Sequence, residues 1–199
     1  TDWRGIFVIL LVIGIILTLI GFAQKETLQQ ENRFKGGVLS TFSQLIPVLR
    51  NRQFSHYLLI QTFAMGVLFS YIAASPFIFQ EHYQISPLLY SICFGVNAFA
   101  IMVGSSLLTP RFANATTALR IGSTIFFLLG LATAAALMAD LPFAVVEGLL
   151  FLMMFFFGMV MPTSTALALD LERKSAGNAS ALLGFTQFLF GGIVSPLTG

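Results

Sequence analysis

Along the chain, charge-free apolar stretches alternate with short polar breaks, and six of the stretches are long enough to cross a bilayer. A helix rises 1.5 Å per residue, so about 20 apolar residues span roughly 30 Å of hydrocarbon. The stretches run over 5–24, 53–80, 82–110, 121–139, 148–169 and 175–199, and each predicts one spanning helix. Six buried helices of a soluble protein would need far more polar sequence to cover them than the breaks supply. The predicted fold class is all-α: a polytopic membrane protein with six transmembrane helices.

Composition sharpens this picture. Hydrophobic residues make up 57% of the 199 and charged residues 9%, against roughly 25% charged in an average soluble domain. A soluble globular enzyme is excluded. The position of the charges also predicts an orientation, because cytoplasmic loops carry the basic excess. Lys25, Arg33, Lys35, Arg50, Arg52, Arg111, Arg120, Arg173 and Lys174 fall in alternate breaks, and only Arg4 falls on the other side. Those nine mark the cytoplasmic face, so the turns near Glu81–Pro87 and Asp140–Pro142 lie outside, with Thr1. The first helix then runs from outside to inside. With no initiator Met or signal sequence before Trp3, and an apolar run up to Gly199, the chain reads as an interior fragment.

The longest break, 25–52, reads as a cytoplasmic linker, which divides the chain into 1–24, 25–53 and 54–199. Within it Val38, Phe42, Leu45 and Leu49 recur at near-helical spacing. That fits either a short amphipathic helix on the membrane face, disturbed at Pro47, or a solvated loop.

Little in the chain suggests bond-making chemistry. Cys93 has no partner for a disulfide and reads as a small buried hydrophobe. His56 and His82 fall on opposite sides of the membrane, and no cluster has metal-ligand spacing, so no metal and no cofactor are expected. An intramembrane hydrolase would need a nucleophile and a base at one depth, and neither His has an evident serine partner. There is no phosphate-binding loop, so active transport would draw on an ion gradient. Asn114-Ala115-Thr116 and Asn178-Ala179-Ser180 match a glycosylation pattern but lie on the cytoplasmic side or in a span, which makes them chance matches. No nucleic-acid partner is expected.

Polar residues inside spans carry the functional information, because lipid makes them costly. The second helix holds Gln61, Ser70, Tyr71 and Ser75, followed by Pro76. Pro76 either permits a kink beside a cavity or closes the helix at its outer interface. Asn97 in the third helix fits an interhelical hydrogen bond better than a substrate contact. Glu147, five residues after Pro142, lies about 7.5 Å into the fifth helix if the helix starts there. It either snorkels to the interface or faces a cavity as a proton-carrying or cation-recognising group. Phe151, Met154, Gly158, Met161 and Thr165 share its helical stripe, which suits either an adaptable ligand surface or packing. The last helix is rich in small residues that permit close packing, with Gln187 as its polar exception.

The order of several strings resembles a known family. Trp3-Arg4 opens the first helix and a basic linker follows. Then come Tyr-Ile-Ala-Ala-Ser-Pro-Phe-Ile-Phe at 71–79, Phe-Gly-Val-Asn-Ala at 94–98, Gly-Asn-Ala-Ser-Ala-Leu-Leu-Gly at 177–184 and Gly-Gly-Ile-Val-Ser-Pro-Leu at 191–197. Together they are similar to the bicyclomycin and chloramphenicol resistance (Bcr/CflA) branch of the major facilitator superfamily. The resemblance implies about twelve helices in two halves, of which this chain would supply the sixth to the eleventh. It implies proton-driven export of small apolar drugs across the bacterial inner membrane by rocking of the halves. The expected partners are lipid, protons, drug-like substrates and the missing N-terminal half. By the same resemblance helices seven and ten line the cavity, which points to Tyr71, Ser75, Glu147, Met154 and Met161 as substrate contacts; Gln61, as a polar residue in a span, and Phe151, on the Glu147 stripe, join them. Gly104, Arg111 and Arg120 resemble a degenerate basic gating motif. Gly191 and Pro196 resemble a glycine-proline antiporter stretch, and Pro76 joins them as a gate candidate. Transport of another small solute and a membrane-inserted remnant without transport remain the alternatives.

Overall fold

The computed structural model describes residues 3–23, 42–108 and 114–198, and among them six helices are long and apolar enough to cross a membrane. The chain divides into two compact units, Thr1–Ser40 and Thr41–Gly199. Among the described residues of the first unit, helix α1 (Trp3–Ala23) carries Ile, Leu and Val around its whole circumference. Its large apolar side chains are exposed, which a bilayer tolerates and water does not.

The second unit begins with a short helix, α2 (Leu45–Arg50). Pro47 sits in its first turn, where a missing N–H costs nothing, so it does not interrupt the helix. Val48 is buried with Phe54, Leu58, Ala168, Ala179 and Leu182. This part of the expected linker is therefore packed rather than a solvated loop; Val38 lies outside the described residues. Five long helices follow: α3 (Arg52–Pro76), α4 (Pro87–Val103), α5 (Ala115–Met138), α6 (Phe143–Leu171) and α7 (Ala176–Thr198). Two of them continue as π-helix, α3 through Phe77–His82 and α4 through Gly104–Leu108.

The helix starts follow from local chemistry. Asn51 caps α3 by accepting from the N–H groups of Gln53 and Phe54 at 3.2 and 3.4 Å. Ser86 caps α4 ahead of Pro87, and Asn114 caps α5 by accepting from Thr116 N–H at 2.8 Å. Two expected starts move: α5 begins at Ala115 rather than Ile121, and α6 at Phe143 rather than Gly148. A charge-free criterion cut both helices short, because Arg120 and Glu147 lie inside them near an end, where a long side chain reaches polar surroundings.

In this unit α3 and α6 form the centre and pack on each other. Helix α7 lies along α3, while α4 and α5 lie along α6. At one end the turns after α3 and α5 are joined: His82 Nε2 meets Asp140 Oδ1 at 2.9 Å, and Tyr83 donates to Leu141 O at 2.8 Å. At the other end Asn51 donates to Glu172 Oε1 at 2.8 Å. The main core fills the space around α6 with Phe79, Val146, Leu150, Met154, Phe157 and Val160. Ile92, Phe99, Phe185, Phe188 and Ile193 are exposed, as lipid contact permits.

Candidate functional site

Three polar side chains from three helices meet inside the second unit. Asn97 of α4 donates through Nδ2 to Tyr71 Oη of α3 at 3.1 Å, and to Glu147 Oε1 and Oε2 of α6 at 3.1 and 3.3 Å. Asn97 is 1% exposed, and its Oδ1 is buried without a hydrogen-bond partner. The Cys93 thiol, one turn earlier on α4, faces Glu147. The Tyr71 ring stacks on Phe94 at 5.7 Å, and Ser75 Oγ lies 3.2 Å from Tyr90 Oη. Glu147 is the fifth residue of α6, so the carboxylate enters the membrane near one end of that helix.

A second polar seam joins α3, α6 and α7. Gln61 donates to Gln187 Oε1 at 2.9 Å and accepts from Thr165 Oγ1 at 2.9 Å. Thr62 and Thr186 hydroxyls are 3.0 Å apart beside it. Both ends of the Gln61 amide are thus engaged by neighbouring helices.

An apolar trough of about 710 Å³ runs between α3 and α5, with Leu150, Met153 and Val160 of α6 as its floor. Tyr71 and Ser75 line it, so Tyr71 belongs to both the trough and the polar cluster. Gln61, Glu147, Phe151, Met154 and Met161 do not line it. Their stripe turns toward α3 and α4 instead: Gly158 lies against the Ile101 carbonyl, Thr165 meets Gln61, and Met154 is 0% exposed. The trough floor is the adjacent face of α6. Spacing along one helix defines a stripe but not which neighbour it meets, so Met153, Phe126 and Thr133 gave no signal in the sequence.

The gate candidates are scattered. Gly104 packs against the Phe155 carbonyl, and Gly191 against the Phe69 ring. Pro76 marks the passage of α3 into π-helix, and Pro196 lies near the end of α7. Arg120 lines a smaller crevice of about 390 Å³ with Arg52 and His56, at the end of α3 away from Pro76. Arg111 lies outside the described residues. The described residues include no group of three or more metal-ligating side chains.

Among the described residues outside the spans, Glu172 and Tyr83 are shifted from their usual ranges. Hydrogen bonds from Ser175 and Asn51 hold the Glu172 carboxyl below it. Burial, with the Asp140 charge beside it, pushes the Tyr83 phenol up.

A polytopic membrane protein that keeps a carboxylate, an amide and a phenol bonded together inside its spans has the build of a transporter. Comparison with known proteins says which kind: the chain belongs to the Major Facilitator Superfamily, whose family model matches residues 1–196. That membership places it in a family of membrane transporters rather than among enzyme families. It is 35% identical to an uncharacterized MFS-type transporter, YdgK, of Bacillus subtilis, over 99% of this chain and 50% of that protein. It is 27% identical to a bicyclomycin resistance protein homolog of Haemophilus influenzae, over 98% of this chain and 50% of that protein. The chain therefore spans about half the length of these relatives. No solved structure matches it.

Proposed function

We propose that the chain forms part of a proton-coupled antiporter that exports small apolar drug-like compounds across the bacterial inner membrane. The observation that carries this reading is the Glu147 carboxylate held by Asn97 inside the membrane. A carrier driven by a proton gradient needs a group that binds and releases a proton at depth, and an ionisable residue in a span is a candidate by its cost alone. The name of the Haemophilus influenzae relative, a bicyclomycin resistance protein homolog, supports drugs as the cargo. The apolar trough that takes in Tyr71 and Ser75 supports bulky apolar ligands.

In this proposal the nine basic residues of the alternate breaks face the cytoplasm, 25–53 links two halves, and Thr1 lies on the periplasmic side. Pro76, Gly104, Arg111, Arg120, Gly191 and Pro196 serve the rocking motion, and Gln61, Phe151, Met154 and Met161 support the substrate path. A second reading of the trough rests on length: since the chain spans half of its relatives, a helix from the remainder of such a protein would seat on the same apolar walls. Export of a different small solute, or membrane insertion without transport, are the competing functions.

The test uses everted membrane vesicles carrying the protein. Addition of bicyclomycin or chloramphenicol to energised vesicles is expected to release protons from the lumen, and Glu147→Gln is expected to abolish that release with normal insertion. Drug uptake with no proton movement in the native protein would refute coupling. Unchanged coupling in Glu147→Gln would remove Glu147 from the mechanism.

A further inference from the structure

Resting on the reading of Glu147 as the proton carrier, we infer that Asn97 is a positioning residue whose side-chain amide turns over with each protonation of Glu147, and so passes the charge state of α6 to Tyr71 on α3. The hydrogen-bond inventory of the cluster leads there. The two N–H groups of Nδ2 serve the Glu147 carboxylate and Tyr71 Oη. That arrangement suits an ionised Glu147, which can only accept. It leaves Asn97 Oδ1 buried with no donor, and such an orphan in a close-packed interior calls for an explanation.

Protonation of Glu147 supplies the missing donor. The new O–H has to be donated, and the empty acceptor of the cluster is Asn97 Oδ1. A half turn of the amide about its Cβ–Cγ bond exchanges Oδ1 and Nδ2 while keeping the shape of the side chain, so it needs no void. Oδ1 has two lone pairs and then accepts from both the Glu147 carboxyl and the Tyr71 hydroxyl, while Nδ2 takes the partnerless position that Oδ1 held, so the turned amide persists only while the two new bonds outweigh that cost. Tyr71 thereby changes from acceptor to donor.

Among the described residues no fixed cation faces Glu147. The titratable groups that face it are Tyr71 from α3 and Cys93 from α4, with Tyr90 further along α4 beside Ser75. The one ionisable residue of α5, Arg120, lies near the other end of the unit, and α7 has none. The amide is therefore the group that reads the proton. Its message arrives where α3 is weakest: Tyr71 is one turn before Ser75, itself tied to Tyr90, and Pro76 and the π-helical segment follow directly. Proline removes a backbone donor and the π-helix changes pitch, so a small change of side-chain bonding there is set to bend the helix.

Infrared difference spectroscopy on the full chain in lipid nanodiscs, stepped through pH, tests this. A protonated-carboxyl band that disappears in Glu147→Gln reports Glu147, and a phenol C–O band that disappears in Tyr71→Phe reports Tyr71. The expected result is that both bands change together in the native protein. In Asn97→Leu the carboxyl band is expected to move to higher wavenumber and the Tyr71 band to stop responding. Asn97→Ser, whose hydroxyl can donate or accept, is expected to restore the linkage. A Glu147 band that titrates while the native Tyr71 band stays fixed overturns the inference and leaves the proton-carrier reading intact. No pH-dependent band assignable to Glu147 overturns both. The native measurement decides the matter even if Asn97→Leu fails to insert.

Discussion

Gly158 of α6 lies directly against the backbone carbonyl of Ile101 in α4, and Gly104 of α4 lies against the carbonyl of Phe155 in α6. The two glycines form a reciprocal contact that lets the helices cross backbone to backbone. In lipid no hydrophobic force drives helices together, so close approach and packing must hold them. Because Asn97 and Glu147 sit on these same two helices, the crossing also sets the distance between them.

Gly158→Ala is therefore expected to destabilise the protein, since its Cβ would collide with backbone that cannot move aside like a flexible side chain. Overpacking of this kind costs about 1–3 kcal/mol. Thermal unfolding in detergent should show a clear loss for Gly158→Ala and Gly104→Ala. Gly184→Ala should show little, because nothing lies within 4 Å of a Cβ there. Equal losses at all three positions would count against the tight crossing.

The Gln61 seam separates a structural role from a substrate role. Its amide is engaged by Gln187 and Thr165, so Gln61→Leu is expected to lower stability. Hydrogen bonds between membrane helices average about 0.6 kcal/mol, with a maximum near 1.7 kcal/mol. Unfolding midpoints measured in a double-mutant cycle with Gln187→Leu should show coupling between the two positions. If Gln61→Leu instead changes drug preference at unchanged stability, the amide contacts substrate.

Neighbouring methionines on α6 offer a sharper contrast. Met154 is 0% exposed and packed in the core, so Met154→Ala is expected to cost about 2–5 kcal/mol in folding. Met153 is also buried but forms part of the trough floor, so Met153→Ala is expected to enlarge the trough and to alter which apolar compounds are retained. Paired measurements of melting and resistance profile decide between them. A change of profile from Met154→Ala at full stability would make Met154 a direct substrate contact rather than a packing support of the path.

The same residues show how far the sequence could be read. Six spans were legible because lipid requires long apolar runs, and the run lengths survive whatever the helices pack against. The starts of α5 and α6 were not, because Arg120 and Glu147 near helix ends look like loop charges in a one-dimensional scan. Glu147 and Asn97 each stood out as polar residues in a span, but their pairing across 50 positions depends on the α4–α6 crossing. Met153 and Met154 differ by one residue, a rotation of about 100° on a helix. The sequence shows both as large and apolar; the fold buries both and brings Met153, not Met154, to the trough floor.

The end of the unit opposite Glu147 carries a pH dependence of its own. Glu172 accepts from Ser175 Oγ at 2.7 Å and from Asn51 Nδ2 at 2.8 Å, and Asn51 also caps α3. The ionised carboxylate thus ties the start of α3 to the turn between α6 and α7, which is why its folded pKa lies below the ordinary 4.5. A lowered folded pKa means that the unfolded chain binds the proton more readily. The stabilisation is therefore fully present above the ordinary carboxyl range and is lost as pH falls through the lowered folded value. Because Glu172 is only partly buried, solvent screening keeps the effect small. In melting curves taken at falling pH, Glu172→Gln should flatten the acid-side decline, and Asn51→Ala should do so while also losing the cap, at about 1 kcal/mol. An acid-side decline unchanged in both variants would assign that decline to other carboxylates.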